Sequence, residues 1–275
     1  MIYVLYHQSC LDGFGAAYAA WKLFGRNAEY VGVRYGDGWP TDVDAVGNEI
    51  YVLDFSFDRA VLLYQNELAS GLVVLDHHKT AKEDLEGLPF AQFNMEKSGA
   101  VLAWEYFHGA EPLPKLLAHV EDRDLWRFKL KSTDAVCEAL WSYPKDFERW
   151  DNYITDKGAF LRLKNEGNLL LLAKRGVVNQ TCYGAFVVQI REHRVIACNA
   201  PVHVSEVCHE LLKRNPDCDY ALGFRITRER KWKWSFRSRK GSGIDVSKIA
   251  ASYHPTGGGH ENAAGVNTEG SIFVL

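Results

Sequence analysis

The chain has 275 residues, of which 47% are apolar, 24% charged and 13% aromatic, with a formal net charge of −3. This fits one large or two modest globular domains and excludes wholesale disorder. No apolar run approaches the roughly 18 residues that cross a bilayer, so no membrane partner is expected. The opening stretch MIYVLYHQSC lacks a basic n-region and turns polar early, so it reads as a strand and not a signal peptide. Six cysteines occur without a Cys-x-x-Cys pair, which fits reduced thiols in a cytoplasm better than a disulfide framework.

The first half alternates short apolar runs with helical spacing. Ile2–Tyr6 predicts a strand, and Gly13–Phe24 an Ala-rich helix closed by Gly25. Tyr30–Tyr35 and Ile50–Leu53 predict two more strands, followed by a helix over Asp58–Ala69. Leu72–Leu75 predicts another strand, and Ser98 caps a helix running through Phe107. This order predicts an α/β fold, with a mostly parallel sheet covered by helices on both faces. From about Asp134 to Gln180 the strand signal disappears, and Trp141, Phe147, Trp150, Phe160, Leu161 and Leu169–Leu172 are the expected anchors of a helical link. Paired strands at Ala185–Ile190 and Arg194–Cys198 come next, then a helix at Ser205–Lys213. Strands at Tyr220–Ile226 and Lys231–Arg237 and a helix at Asp245–Tyr253 lead to the Gly257-Gly258-Gly259 turn. The expected division is a catalytic domain over 1–150, a helical linker over 151–182 and a smaller α/β domain over 183–275.

Successive predicted strands run into metal-competent groups. The first leads to His7 and Asp12, a later one to Asp54, and another to Asp76, His77 and His78. In an open parallel sheet such side chains converge on one crevice. A further acidic cluster, Glu121-Asp122-Arg123-Asp124, closes the ring. Like charges packed together repel unless a cation neutralises them, and carboxylates with imidazoles suit Mn²⁺, Mg²⁺ or Fe²⁺ better than structural zinc. Gly13-Phe14-Gly15 is not a dinucleotide-binding fingerprint, because Tyr18 stands where the third glycine belongs.

The strings YHQSCLDGFGAA, VLDFS, VLDHHKTA, SGAVLAWEYF, VEDRDLWRF and SFRSRKGSGIDVSKIAASYHPTGGGHENAAG together resemble the DHH phosphoesterase superfamily. The branch resembled carries a DHH-associated C-terminal domain and includes nanoRNases, oligoribonucleases and pAp phosphatases. The resemblance covers nearly the whole chain. It implies that Asp54 bridges two Mn²⁺ ions, with Mg²⁺, Fe²⁺ or Co²⁺ as alternatives. Asp12, His77 and Asp122 are then further ligands of one ion and His7 a ligand of the other. Asp124 is the fallback for Asp122. Asp76 supports its neighbours from behind, and His78 faces the substrate phosphate, so His78, Asp54 and His77 are the implied catalytic group. Where the family has Asp-x-Asp, this chain has Cys10-Leu11-Asp12. Cys10 is then either a soft ligand or a small buried hydrophobe, and one ion is expected to bind more weakly than the other.

Two metals about 3.5–4 Å apart can activate water and steady the leaving oxygen, so no protein nucleophile is needed. The segment 225–240 holds eight Lys/Arg against one Glu, a basic stretch suited to a polyanion. Within it Trp232, Trp234 and Phe236 alternate with polar residues and are expected to face the core. Arg237, Gly258, Gly259, His260 and Ser98 are the candidate substrate contacts, whereas Arg239 and Lys240 read as solvated. The implied activity is Mn²⁺-dependent hydrolysis of short RNA, such as the dinucleotide pGpG, in a cleft between the domains. Phosphomonoesterase action on pAp, exopolyphosphatase action, and a nucleotide-binding regulator with a degraded site are the alternatives. No long duplex partner is expected, and a homodimer is left open.

Overall fold

The computed structural model describes residues 1–273 and divides into two compact units, Met1–Leu171 and a second beginning at Leu172. The expected C-terminal domain runs to residue 275, so its last two residues lie outside the described part. In the first unit β1 (Ile2–His7), β2 (Ala28–Val33), β3 (Glu49–Leu53), β4 (Gly71–Asp76) and β5 (Ala91–Phe93) form a parallel sheet in the order β2-β1-β3-β4-β5. Parallel sheets bury both faces, and the period-two alternation supplies two cores. Val4, Leu53 and Leu75 join one cluster, while Tyr3, Leu5, Ile50, Val52 and Val74 join the other. Helices α1 (Leu11–Phe24), α4 (Gly99–His108), α5 (Lys115–Asp124) and α6 (Thr133–Ser142) supply side chains to the first cluster. Leu62 of α2 (Arg59–Leu68) and Leu85, at the end of α3 (Lys79–Asp84), belong to the second.

The strand order reverses at β1, whose sheet neighbours β2 and β3 lie on opposite sides. The crevice beyond the carboxyl ends of β1 and β3 is therefore the topological switch point, where ligands bind in open α/β sheets. His7 ends β1, and Asp54 directly follows β3.

Several expectations for this unit need correction. Strand β2 stops at Val33, two residues short of Tyr35, and the three-residue β5 is an element the sequence reading lacks. The stretch read as a link is also largely core. Phe147 of α7 (Phe147–Thr155) stacks on Phe14 at 4.7 Å and on Trp21 at 5.5 Å, and Trp150 is buried. Tyr18 and Lys22 of α1 both donate to Asp151 of α7, at 2.8 and 2.6 Å. Trp141, Leu161, Leu169 and Leu172 are exposed rather than anchoring. Helix α6 and the long α8 (Lys157–Cys182) instead bury Val136 with Leu140 and Ala159 with Leu163, pairs four residues apart on one helical face. The unit boundary falls inside α8.

The second unit has a six-stranded mixed sheet in the order β10-β11-β9-β8-β7-β6. Its strands are β6 (Phe186–Ile190), β7 (His193–Asn199), β8 (Tyr220–Ile226), β9 (Trp232–Ser238), β10 (Gly258–His260) and β11 (Ala263–Thr268). Among the described residues only β7 and β8 of this sheet pair in parallel, joined by α9 (Val204–Arg214). Trp234 and Phe236 are fully buried in the core shared with α10 (Val246–Ala251), as the alternation requires. The glycine run is an edge strand rather than a plain turn. Gly259 has φ 138°, and a Cβ there would lie 2.6 Å from the Ala263 carbonyl oxygen, so only glycine fits. Arg239 is not solvated: its guanidinium donates to the carbonyls of Cys218, Leu212 and Asn215 at 2.7, 2.7 and 2.8 Å. A cation there satisfies carbonyls at the end of α9. Among the described residues no helix is long and apolar enough to cross a membrane.

Candidate metal centre

Four elements of the first unit end on one spot. Asp12 lies in the first turn of α1, where its carboxylate accepts from the backbone amides of Gly99 at 2.6 Å and Ala100 at 3.0 Å, both opening α4. Helix N-terminal amides favour a negative charge, so α4 fixes this carboxylate in place. Asp54 follows β3 in a left-handed conformation, φ 53°, and its amide donates to the Leu75 carbonyl at 2.9 Å. The close neighbour on its other side is Gly99, where any Cβ would come within 2.4 Å of Asp54 Cβ. A strained backbone beside an obligatory glycine is a costly arrangement, and it aims one carboxylate.

Asp54 joins two groups of donors. Its Oδ1 lies 3.1 Å from His77 Nε2, which is itself 3.6 Å from both Asp12 Oδ2 and Asp124 Oδ2. Its Oδ2 lies 3.1 Å from Cys10 Sγ and 3.7 Å from His7 Nδ1, and those two atoms are 3.3 Å apart. Asp12, His77 and Asp124 thus make one cluster able to hold an ion, and His7, Cys10 and Asp54 another. Behind them Asp76 Oδ1 accepts from the His77 backbone amide at 2.7 Å and sits 2.7 Å from His78 Nδ1, which orients the His78 imidazole.

The electrostatics fit a cation. Burial and the neighbouring charges of Asp54 and Asp124 hold the Asp12 carboxyl well above the usual range. Burial opposes ionisation of Asp54 too, but hydrogen bonds from His7 and His77 and the charge of His77 and His78 win and hold it well below that range. Burial disfavours the His77 imidazolium, yet Asp54, Asp124 and Asp12 push it up to about 10. Burial followed by the same three carboxylates raises the Cys10 thiol. Such a cluster rewards any positive charge that enters it. The buried Asp76 Oδ2 accepts no hydrogen bond among the described residues. The donors, carboxylate and imidazole with one thiol, suit Mn²⁺ or Fe²⁺.

No family model matches the sequence. Over 97% of its length the chain is 30% identical to uncharacterized protein R106 of Acanthamoeba polyphaga mimivirus, covering 67% of that protein. The chain belongs to the R106 family. Among solved structures, exonuclease RecJ bound to manganese is similar with a TM-score of 0.54 at 14% identity, over 97% of this chain and 85% of that one. RecJ in complex with Mn²⁺ from Thermus thermophilus gives 0.55 at 15%, over 97% of this chain and 49% of that one. This R106-family chain therefore has the fold of RecJ, including the parallel sheet with helices on both faces and the separate mixed sheet.

His7, Asp12, Asp54, Asp76, His77 and His78 are brought together, and Cys10 with them. Asp122 is not, and this is a correction. Its carboxylate is consumed by the chain that follows its own helix, accepting from the Lys129 and Leu130 amides at 2.8 and 2.9 Å and from Thr133 Oγ1 at 2.5 Å. The acidic residue beside His77 is Asp124. Ser98 is likewise no substrate contact: fully buried, it caps α4, accepting from the Val101 amide at 3.5 Å. Arg237 donates to the Phe236 carbonyl at 2.8 Å and to Ser205 Oγ at 3.0 Å, so part of its guanidinium is engaged within the second unit. Gly258 and His260 bound the edge strand β10.

Sequence reading missed Tyr35, whose ring packs against His7 at 5.2 Å, Phe55 at 4.7 Å and His78 at 5.9 Å. Its position just past the carboxyl end of β2 was the available signal, because it follows the rule that singled out the other residues. Gly99 was missed as well, for its role is steric.

Proposed function

We propose that the chain is a metal-dependent phosphoesterase of the DHH type that hydrolyses very short oligonucleotides, such as the dinucleotide pGpG, using Mn²⁺. The observation that carries this reading is Asp54, one buried carboxylate whose two oxygens face two separate donor groups. Asp12, His77 and Asp124 would hold one ion, His7 and Cys10 the other, and Asp54 both. Bound divalent cations there supply water of lowered pKa and offset charge on the phosphoryl oxygens.

The chain's own part is positioning. The α4 amides fix Asp12, and Asp76 holds His78 through Nδ1. Burial opposes the His78 imidazolium, but Asp76 outweighs it and raises the ring, so His78 is a proton donor toward a phosphoryl or leaving oxygen. Base preference and chain length are assigned to the basic second unit, which supplies charge for a phosphodiester backbone.

The test is product chromatography after incubation with Mn²⁺ and an equimolar mixture of pGpG, a 5-mer RNA, pAp and polyphosphate. Conversion of pGpG to GMP that is lost in Asp54→Asn supports the reading. Release of AMP from pAp alone would make the enzyme a phosphomonoesterase, and turnover of polyphosphate alone an exopolyphosphatase.

A further inference from the structure

The second unit contains a cavity of about 170 Å³, lined by Ala200–Val204 on the loop into α9, by Gly223 to Arg225 of β8, and by Lys233 and Ser235 of β9. It lies at the carboxyl ends of the parallel pair β7 and β8, beside the start of their crossover helix. This is the position where open α/β units bind ligands. A volume near 170 Å³ falls below the roughly 300–1,000 Å³ that houses a whole drug-sized molecule, so it suits one functional group rather than an entire nucleotide.

The lining is charged in one sense. None of the lining residues is acidic; besides His203 it holds two cationic side chains, the exposed Arg225 and Lys233, which stand directly opposite each other on β8 and β9. Like charges at directly opposed cross-strand positions are destabilising. Among the described residues neither side chain has a hydrogen-bond or ion-pair partner, in contrast to nearby Lys231, which pairs with Glu269 at 2.9 Å. Burial and the facing Arg225 push the Lys233 ammonium down, so the two groups sense each other. Ser235 adds a hydroxyl, and no side chain caps the adjoining helix. An unrelieved pair of cations at the rim of a small cavity is what an anion with several acceptor oxygens would bridge.

We infer that this cavity is a phosphate-binding subsite of the second unit, in which Arg225 and Lys233 clamp one phosphate group of a nucleotide. Where that nucleotide is the substrate, the inference rests on the proposed activity and makes this clamp a contact to one of the substrate's phosphates. Where it is a separate ligand, the same clamp is an effector site.

The experiment uses the full chain. Thermal melts in EDTA with and without inorganic phosphate are compared for wild type, Arg225→Gln, Lys233→Gln and the exposed control Lys240→Gln. Wild type and the control should be stabilised by phosphate, and the two clamp variants should lose that shift. Without phosphate, the clamp variants should melt at or above the wild-type temperature, because the repulsion is gone. Clamp variants that keep the phosphate shift, or that melt lower without ligand, would overturn the inference.

Kinetics with Mn²⁺ then separate the two sources. A roughly tenfold rise in KM for pGpG in Lys233→Gln, with bis(p-nitrophenyl) phosphate turnover unchanged, makes the phosphate the substrate's own; tenfold corresponds to about 1.4 kcal/mol, one charge-assisted hydrogen bond. Loss of the melting shift with an unchanged KM places a separate nucleotide in the clamp. A wild type that cleaves neither substrate defeats the proposed activity, while the metal-free melts still decide the clamp.

Discussion

Metal binding at the Asp54 centre should release protons, and the structure sets the window. A ligating imidazole must be neutral, yet the carboxylates around His77 push it up to about 10. Between about pH 6 and 9 the ring is therefore protonated before an ion enters, and it must lose that proton as the ion binds. Apparent Mn²⁺ affinity at the Asp12–His77–Asp124 cluster should rise about tenfold per pH unit for each proton released, or about 1.4 kcal/mol per unit. Over two units that is on the order of a hundredfold for His77 alone. Burial and the charges of Asp54 and Asp124 raise the Asp12 carboxyl, so its deprotonation on ion binding adds to the release.

The stability of the metal-free chain should run the other way. A histidine whose folded pKa is raised contributes stability that is fully present below its unfolded value, near 6.5, and is lost as pH rises through about 10. Metal-free melting temperature should thus fall from about pH 6.5 toward 10 while Mn²⁺ affinity climbs. Calorimetric titration of Mn²⁺ in buffers of different ionisation enthalpy counts the protons, and melts in EDTA give the second slope. A Mn²⁺ affinity independent of pH between about 6 and 8, with no buffer-dependent heat, would refute this account of His77.

Three further outcomes follow from named contacts. Asp122→Asn should keep Mn²⁺ binding yet cost about 1–3 kcal/mol in chemical denaturation, since it weakens bonds to Lys129, Leu130 and Thr133, while Asp124→Asn should do the reverse. Burial opposes the Asp122 charge but those bonds hold its pKa down, so its contribution exists above about pH 3.9 and disappears as pH falls through the lower native value; acid titration of both proteins checks this. Cys10→Asp should keep the α1 cap that Sγ now provides to the Gly13 amide at 3.1 Å and should tighten the weaker ion, which metal counting by calorimetry reads as two sites of similar affinity. Gly99→Ala should abolish Mn²⁺ binding with only a partial loss of melting temperature, because its Cβ would strike Asp54, and unchanged Mn²⁺ affinity would count against the packing described.

The sheet and most of the centre were legible because both follow from short-range pattern. Apolar runs ending in Asp or His mark the carboxyl ends of β1, β3 and β4, and the parallel topology does the rest. The Asp122 error shows where that logic stops. Asp122 and Asp124 sit two apart on α5 and so point in different directions around the helix, and only the course of residues 125–133 decides which faces inward. Trp126 and Phe128 take left-handed backbone angles there, φ 53° and 48°, which turns the chain back over Asp122 so that its amides cap that carboxylate. No periodicity encodes such a turn in bulky residues. The misplaced anchors of α6 and α8 have a similar origin: those helices carry apolar residues on more than one face, and partners distant in sequence select which face is buried.

The centre is also held by features that carry no charge. Left-handed angles in a non-glycine residue cost on the order of 1–3 kcal/mol and persist only where the surroundings enforce them. At Asp54 the enforcement is visible on both sides, in the amide bond to the Leu75 carbonyl and in the absence of a Cβ at Gly99. Relaxing Asp54 to an extended conformation would swing its carboxylate away from either the Asp12–His77–Asp124 group or the His7–Cys10 group. The single carboxylate that faces both is thus the one whose backbone is strained. The same α4 terminus that makes room for it also supplies the two amides that hold Asp12. One glycine-led helix start therefore sets the relative placement of the two carboxylates on which any ion in this centre depends.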